Sequence, residues 1–249
     1  MAVHKCLPVY FRILFLFLIV SGVSCKKDKH EGLKITPFDF LSNQNYDQLE
    51  IEIMYVDGFQ PTQGALDNLK NFLLARLNKA GSITVVQNSI SSPGKTTLTL
   101  DDVRQIEKDR RTRNTHDRTL TASILFLDGD FNENQANSKV LGIAYGSSSM
   151  VMFEKTIKDL SGGIGKPSTL SLESTVAMHE FGHILGLTNN GTAMQTPHED
   201  QANKGHCNNN KCLMYYQVES STFMDQLMGS GVPSLDANCL ADLKANGGK

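Results

Sequence analysis

The sequence predicts an α/β (α+β) fold: a mixed sheet with helices packed on it, one helix carrying a metal site, and a loop-rich C-terminal part. Three observations carry this. Apolar runs of strand length alternate with segments of helical period as far as residue 187. One of the helical segments contains His179-Glu180-Phe181-Gly182-His183, an HExxH pattern. Beyond residue 187 the regular patterns fade, apart from a last helix expected between Ser220 and Lys244.

Residues 1–25 read as an address that is removed from the fold. Lys5 and Arg12 precede or open an apolar run, Ile13 to Val20, too short to cross a membrane and of the length of a signal-peptide core. The run ends in Gly22-Val23-Ser24-Cys25, and small residues ahead of a Cys resemble the lipobox of bacterial lipoproteins. That resemblance implies cleavage before Cys25, acylation of its thiol and a lipoprotein of the outer membrane or cell surface. An ordinary secretory cleavage nearby, with release to the periplasm, is the alternative, and both export the chain. Residues 26–47 are polar with little periodicity and are expected to be a tether, which leaves 48–249 as one domain, expected to be monomeric. The formal charge of -2, made more acidic by loss of Lys5 and Arg12, gives no reason to expect nucleic acid as a partner. Cys25, Cys207, Cys212 and Cys239 are too few for a disulfide-built scaffold, so packing must hold the fold.

Leu49 to Val56 alternates like a strand with one buried face, and Asp57-Gly58 ends it. Pro61 to Ala80 spaces Leu66, Leu69, Phe72, Leu73 and Leu77 as a helix does, closed by Gly81. Ile83 to Val86 is a second strand. Thr99 to Arg110 reads as a helix with Val103 and Ile106 on its inner face, and Thr119 to Asp128 is apolar enough for a central strand. Asp130 to Lys139 is a polar loop. Val140 to Tyr145 and Met150 to Phe153 are short strands joined through Gly146-Ser147-Ser148-Ser149. Ser171 to Met178 then supplies capping residues and helix formers ahead of His179, and Gly186 stands where the helix can stop.

On that helix, positions 179 and 183 are one turn apart, so two imidazoles converge on one metal ion, with Glu180 beside them. A catalytic zinc takes three protein ligands and keeps a position open, so a third must come from elsewhere. Asn189 lies three residues past Gly186 but a neutral amide is a poor zinc ligand. His198 has suitable chemistry and no surrounding motif. His206 opens His206-Cys207-Asn208-Asn209-Asn210-Lys211-Cys212-Leu213-Met214.

In His179 to Gly186 the chain resembles the metzincin clan of metallopeptidases, and in His206 to Met214 it resembles the archaemetzincins within that clan. The resemblance covers about 35 residues. It implies a metzincin-like fold, Zn2+ held by His179, His183 and His206, Met214 in a Met-turn under the metal, and an insertion of 17 residues within Leu187 to Gly205 that forms a loop at the cleft. It implies peptide or protein substrates, hydrolysed in endopeptidase or aminopeptidase fashion, with Glu180 taking the proton of the attacking water and passing it to the leaving amine. Val140 to Tyr145 would pair with extended substrate, and Tyr216 would assist in binding the tetrahedral intermediate. Archaemetzincins carry a downstream Cys-x-x-Cys pair that, with the two earlier Cys, can hold another zinc. Here only Cys239 stands there, so a disulfide between Cys207 and Cys212 is expected instead. The rival class is a non-catalytic binding or adhesion protein that keeps this fold; retention of Glu180 argues against it.

Overall fold

Parallel pairing dominates the sheet, as expected for strands joined through helices. A computed structural model describes residues 34–136, 138–219, 221, 224, 227, 228 and 231–249. The strands are β1 (Gln48–Val56), β2 (Ile83–Ile90), β3 (Thr97–Leu98), β4 (Thr119–Phe126), β5 (Asp130–Phe131), β6 (Gly142–Tyr145) and β7 (Ser149–Met152). Five of them form one sheet in the order β2-β1-β4-β7-β6; only the edge strand β6 runs antiparallel, Ile143 opposite Val151. β3 and β5 make a separate parallel pair, inside what the sequence suggests is loop.

The helices are α1 (Pro37–Leu41), α2 (Gln63–Leu74), α3 (Leu100–Arg110), α4 (Glu154–Leu160), α5 (Thr169–Ile184) and α6 (Ala237–Ala245). Strand alternation divides the core between the two sheet faces. Leu49, Ile51 and Ile53 of β1 and Leu120, Ala122 and Ile124 of β4 pack with Leu69 and Phe72 of α2 and Val176 of α5. Met54, Val56, Leu125 and Val151 face the other way and pack with Val103 and Ile106 of α3. α3 begins where Thr99 and Asp102 cap each other reciprocally.

Two expectations are corrected here. The tether does not extend to residue 47: Phe40 and Leu41 are fully buried, and the half-buried Lys79 ammonium donates to the carbonyls of Asp39, Ser42 and Tyr46 at 2.6–2.7 Å. Burial pushes the Lys79 pKa down to about 8, the cost of placing an ammonium under this segment. The domain therefore includes residues from Lys34 onward; residues 1–33, with the leader and Cys25, lie outside the described residues. The same contact ends α2 at Leu74 rather than Ala80, since Asn78 leaves the helix to donate its N–H to Leu41 O and its side-chain amide to Gly247 O.

α4, not anticipated, is fixed by an unusual pair. Glu154 and Glu173 are both fully buried, and Glu173 Oε2 accepts from Thr62 N–H at 2.8 Å and from the Thr62 hydroxyl at 2.5 Å. Thus α5 meets the N-terminal cap of α2 through the Glu173 carboxyl, and α4 brings Glu154 beside it. Burial, reinforced by the neighbouring Glu173 charge, raises the Glu154 pKa to about 10, so Glu154 carries the proton that the two share. A carboxyl raised in the folded state lends stability that is complete below its ordinary pKa and is lost as pH rises toward the folded value. Thermal unfolding should therefore show Tm falling between about pH 5 and about pH 9, and Glu154→Gln should flatten that slope; parallel slopes for the two proteins would remove Glu154 from the account.

Candidate metal and active site

α5 places the site. Ser168 starts the helix by accepting Ser171 N–H at 3.0 Å, and the chain leaves it at Gly186, where φ is +75° and a Cβ would lie 2.6 Å from Pro37 Cγ. Between them, His179 and His183 sit one turn apart with Nε2 atoms 3.1 Å from each other. His206 arrives from the far end of the long loop, its ring centroid 5.4 Å from that of His179 and 4.9 Å from that of His183. One donor nitrogen from each ring lies within 4.8 Å of the others.

The outer hydrogen bonds orient these rings. His179 Nδ1 donates to Leu213 O at 2.7 Å and His206 Nδ1 donates to Lys204 O at 3.2 Å, which leaves Nε2 as the lone-pair nitrogen of each. Burial, together with the two neighbouring imidazoles, holds the His183 pKa well below its ordinary value, so the ring is a neutral donor. Two imidazoles turned inward by carbonyl partners, with a third from the same helix face, match the donor set of an open tetrahedral zinc site. The residues fit the metal.

Two glycines make the surroundings possible. A Cβ on Gly182 would stand 2.3 Å from Met214 Sδ, so Met214, fully buried, lies directly against the helix between the two ligand positions. A Cβ on Gly142 would stand 2.9 Å from Glu180 Cγ, and its absence lets β6 approach the helix. Glu180, 1% exposed, then accepts the Ala144 N–H at 2.7 Å through Oε2. Both glycines are needed for close approach rather than for backbone freedom.

Of the three candidates for the third position, only His206 joins the helix pair. Asn189, with φ of +68°, lines a hollow beside the site. His198 is turned elsewhere: its Nε2 bonds Asp242 Oδ2 at 2.7 Å and its Nδ1 faces Cys207 Sγ at 3.4 Å. Tyr216 opens a short 3-10 helix, Tyr216–Glu219; its hydroxyl accepts from Gln217 Nε2 and its ring packs on Tyr215, not on the histidines.

The expected disulfide is replaced by a cluster. Cys207, Cys212 and Cys239 are buried free thiols, with Cys212 Sγ 3.6 Å from Cys239 Sγ. Donor atoms of His198, Cys207, Asp236 and Cys239 all lie within 4.8 Å of one another. Hydrogen bonds from Cys207 and Cys239 hold the Cys212 thiol well below its ordinary pKa, helped by the Asp236 and Met214 N–H groups. Burial pulls His198 down, but the Asp242 carboxylate and Cys207 outweigh it. Thiols meeting around a point, not across a pair, are the arrangement of a closed metal site with one imidazole. His198 is legible in the sequence as a candidate ligand, but not its place beside the thiols, and Asp242 gives no sequence signal.

Two hollows flank the histidines and share His183 and Asn190 as a wall. One, of about 420 Å3, is lined by Ala144, Asn189, Glu199 and Lys204. The other, of about 410 Å3, lies against Lys34 to Pro37, Gly146 and Ser147. The insertion within Leu187 to Gly205 thus forms one side of a cleft at the site.

No family profile and no curated protein sequence matches the chain. Among solved structures it is similar to an archaemetzincin from Methanopyrus kandleri, with TM-score 0.49 and 16% identity over 80% of this chain and 96% of that one. It is also similar to metalloproteinase-II from Bacteroides fragilis, with TM-score 0.44 and 14% identity over 88% of this chain and 58% of that one. At these values the site has to be read from its own side chains.

Gly182→Ala should destabilise the protein by about 1–3 kcal/mol through overpacking against Met214, measured by urea unfolding. Adding Met214→Ala should recover part of that loss; a simple sum of the two single effects would show that the sulfur does not press on position 182.

Proposed function

We propose that the chain is a zinc-dependent peptidase, exported and anchored through an acylated Cys25, with His179, His183 and His206 as zinc ligands and Glu180 as general base. The convergence of three imidazoles beside a buried carboxylate carries this reading. Zinc bound there supplies Lewis acidity toward a water and a peptide carbonyl. The protein's own residues do the rest. Glu180, held by Ala144 N–H, takes the proton of the attacking water and returns it to the leaving amine. Among the described residues β6 has a sheet neighbour on one side only; on its other side Ala144 N–H is taken by Glu180 and the remaining backbone groups would pair with an extended peptide. The insertion and the Lys34–Pro37 segment bound the cleft in which that peptide lies. The rival reading, a binding protein that keeps the fold, has no use for a carboxylate buried at this position.

A second, structural zinc belongs to the same proposal, with His198, Cys207 and Cys239 as ligands and the fourth place taken by Asp236, within 4.8 Å of all three, or by Cys212, 3.6 Å from Cys239. Asp242 orients the His198 ring so that Nδ1 faces the thiols, the familiar carboxylate–histidine support of a metal ligand. In an exported protein three buried thiols at contact distance oxidise unless something occupies them, and a metal protects them.

Native mass spectrometry should find two zinc ions per chain. His206→Ala should lose one of them, Cys239→Ser the other, while Asn189→Ala keeps both. Two zinc ions retained by His206→Ala would remove the active-site assignment. Glu180→Ala should keep both ions and lower kcat against a peptide library by about 10²–10⁴-fold, the usual share of a general base; undiminished cleavage would exclude Glu180 from that role.

A further inference from the structure

The insertion supplies the hollow beside His183 with one charged acceptor, and that acceptor is incompletely used. The Glu199 side chain is only 8% exposed. Its Oε1 accepts Gly205 N–H at 3.0 Å. Its Oε2 has two contacts among the described residues, Asn189 Nδ2 and Lys204 Nζ, both at 3.4 Å. A charge-assisted bond between nitrogen and carboxylate settles at about 2.7–2.9 Å, so neither contact is a closed pair. Lys204 is satisfied elsewhere, donating to Gln201 Oε1 at 2.6 Å, and its side chain is 62% exposed. The amides of Asn189 and Asn190, which also line the hollow, carry no charge to compensate Glu199.

We propose that this hollow is a substrate subsite for a cationic group, a guanidinium or ammonium, received by Glu199 Oε2. This rests on the peptidase reading for its place in the cleft: Ala144 of the edge strand and His183 of the histidine cluster are both in its wall. A peptide laid along β6 passes its mouth. A cation entering from the cleft completes the short contact that Lys204 leaves long, and Lys204, tethered to Gln201 at the solvent side, swings outward at little cost. The two asparagines accept the remaining N–H groups through their side-chain oxygens. The group belongs either to an Arg or Lys side chain of the substrate or to its N-terminal amine.

The test is binding to zinc-loaded Glu180→Ala protein, read by fluorescence anisotropy. The probes are labelled peptides, each made both N-acetylated and with a free N-terminus, in which a single Arg, or its uncharged isostere citrulline, is walked through each position. At one position citrulline should weaken binding by at least about tenfold, the worth of one charge-assisted hydrogen bond. Adding Glu199→Gln, which keeps an acceptor for Gly205 N–H, should bring the Arg-to-citrulline ratio at that position to about one, and Lys204→Ala should tighten the Arg peptide by removing its competitor. A preference seen only in peptides with a free N-terminus assigns the subsite to the amine instead of a side chain, and it too must vanish with Glu199→Gln. Equal binding of all peptides, no binding of any, or a preference that survives Glu199→Gln overturns the proposal. Because the readout is binding, a parent protein that prefers cations yet cleaves nothing sinks the peptidase reading alone, and one that cleaves without that preference sinks the subsite alone.

Discussion

The contact between Met214 and the helix at Gly182 is the constraint on which the rest of the site depends. An HExxH helix brings two imidazoles together by its own geometry, but the third has to be carried in by a chain segment far away in sequence. Met214 does this from beneath. Its sulfur occupies the space that a Cβ at residue 182 would need, its neighbour Leu213 accepts the His179 ring proton, and its own carbonyl accepts Cys207 N–H at 2.7 Å. Cys207 follows His206 directly. The depth at which Met214 packs therefore sets both the rotation of the first ligand ring and the height at which the third ring arrives.

The long loop that separates Gly186 from His206 is built to close on itself at that point. Thr188, buried and with φ of +53°, donates its hydroxyl to Gly205 O, and Glu199 accepts Gly205 N–H. A β-branched residue with positive φ is strained, and strain of this kind persists only where other contacts hold it. Here those contacts join the two ends of the loop immediately before His206. Asp200 N–H and Asn203 O take the backbone groups of His206 itself. The loop therefore acts first as a bracket for the His206 ring, and only secondarily as a wall of the cleft.

Local periodicity made most of the scaffold legible. β1, β4 and α5 are recognisable because each buries a regular set of positions, and His179 and His183 converge through the pitch of one helix. What stayed hidden depends on distance in space between residues far apart in sequence. Residues 34–47 look polar, yet Phe40 and Leu41 are buried because Lys79, forty residues on, satisfies the carbonyls around them. α4 buries Glu154 where a pattern reader looks for an apolar residue, and only its neighbour Glu173 explains it. Cys207 and Cys212 have the spacing of a small disulfide loop, but Cys239 and His198 are brought between and beside them by α6 and the insertion. Tyr216 follows Met214 too closely for the chain to turn back, and the 3-10 helix carries its side chain to Tyr215.

The thiol and imidazole cluster bears on the histidine site through the same short segment. Cys207 is adjacent to His206, and Cys212 stands two residues before Met214, with Met214 N–H donating to Cys212 Sγ at 3.4 Å. Each residue that sets the third imidazole is thus one or two peptide units from a soft ligand. A metal that fixes the four donors would fix both ends of the 207–214 turn against α6, whose Asp236 caps Cys239 and whose Asp242 holds His198. Packing under Gly182 then needs to resist displacement of the turn in one direction only, away from the helix. The long loop between Gly186 and His206 is therefore held at its far end twice, by its contacts to Gly205 and by the 207–214 turn.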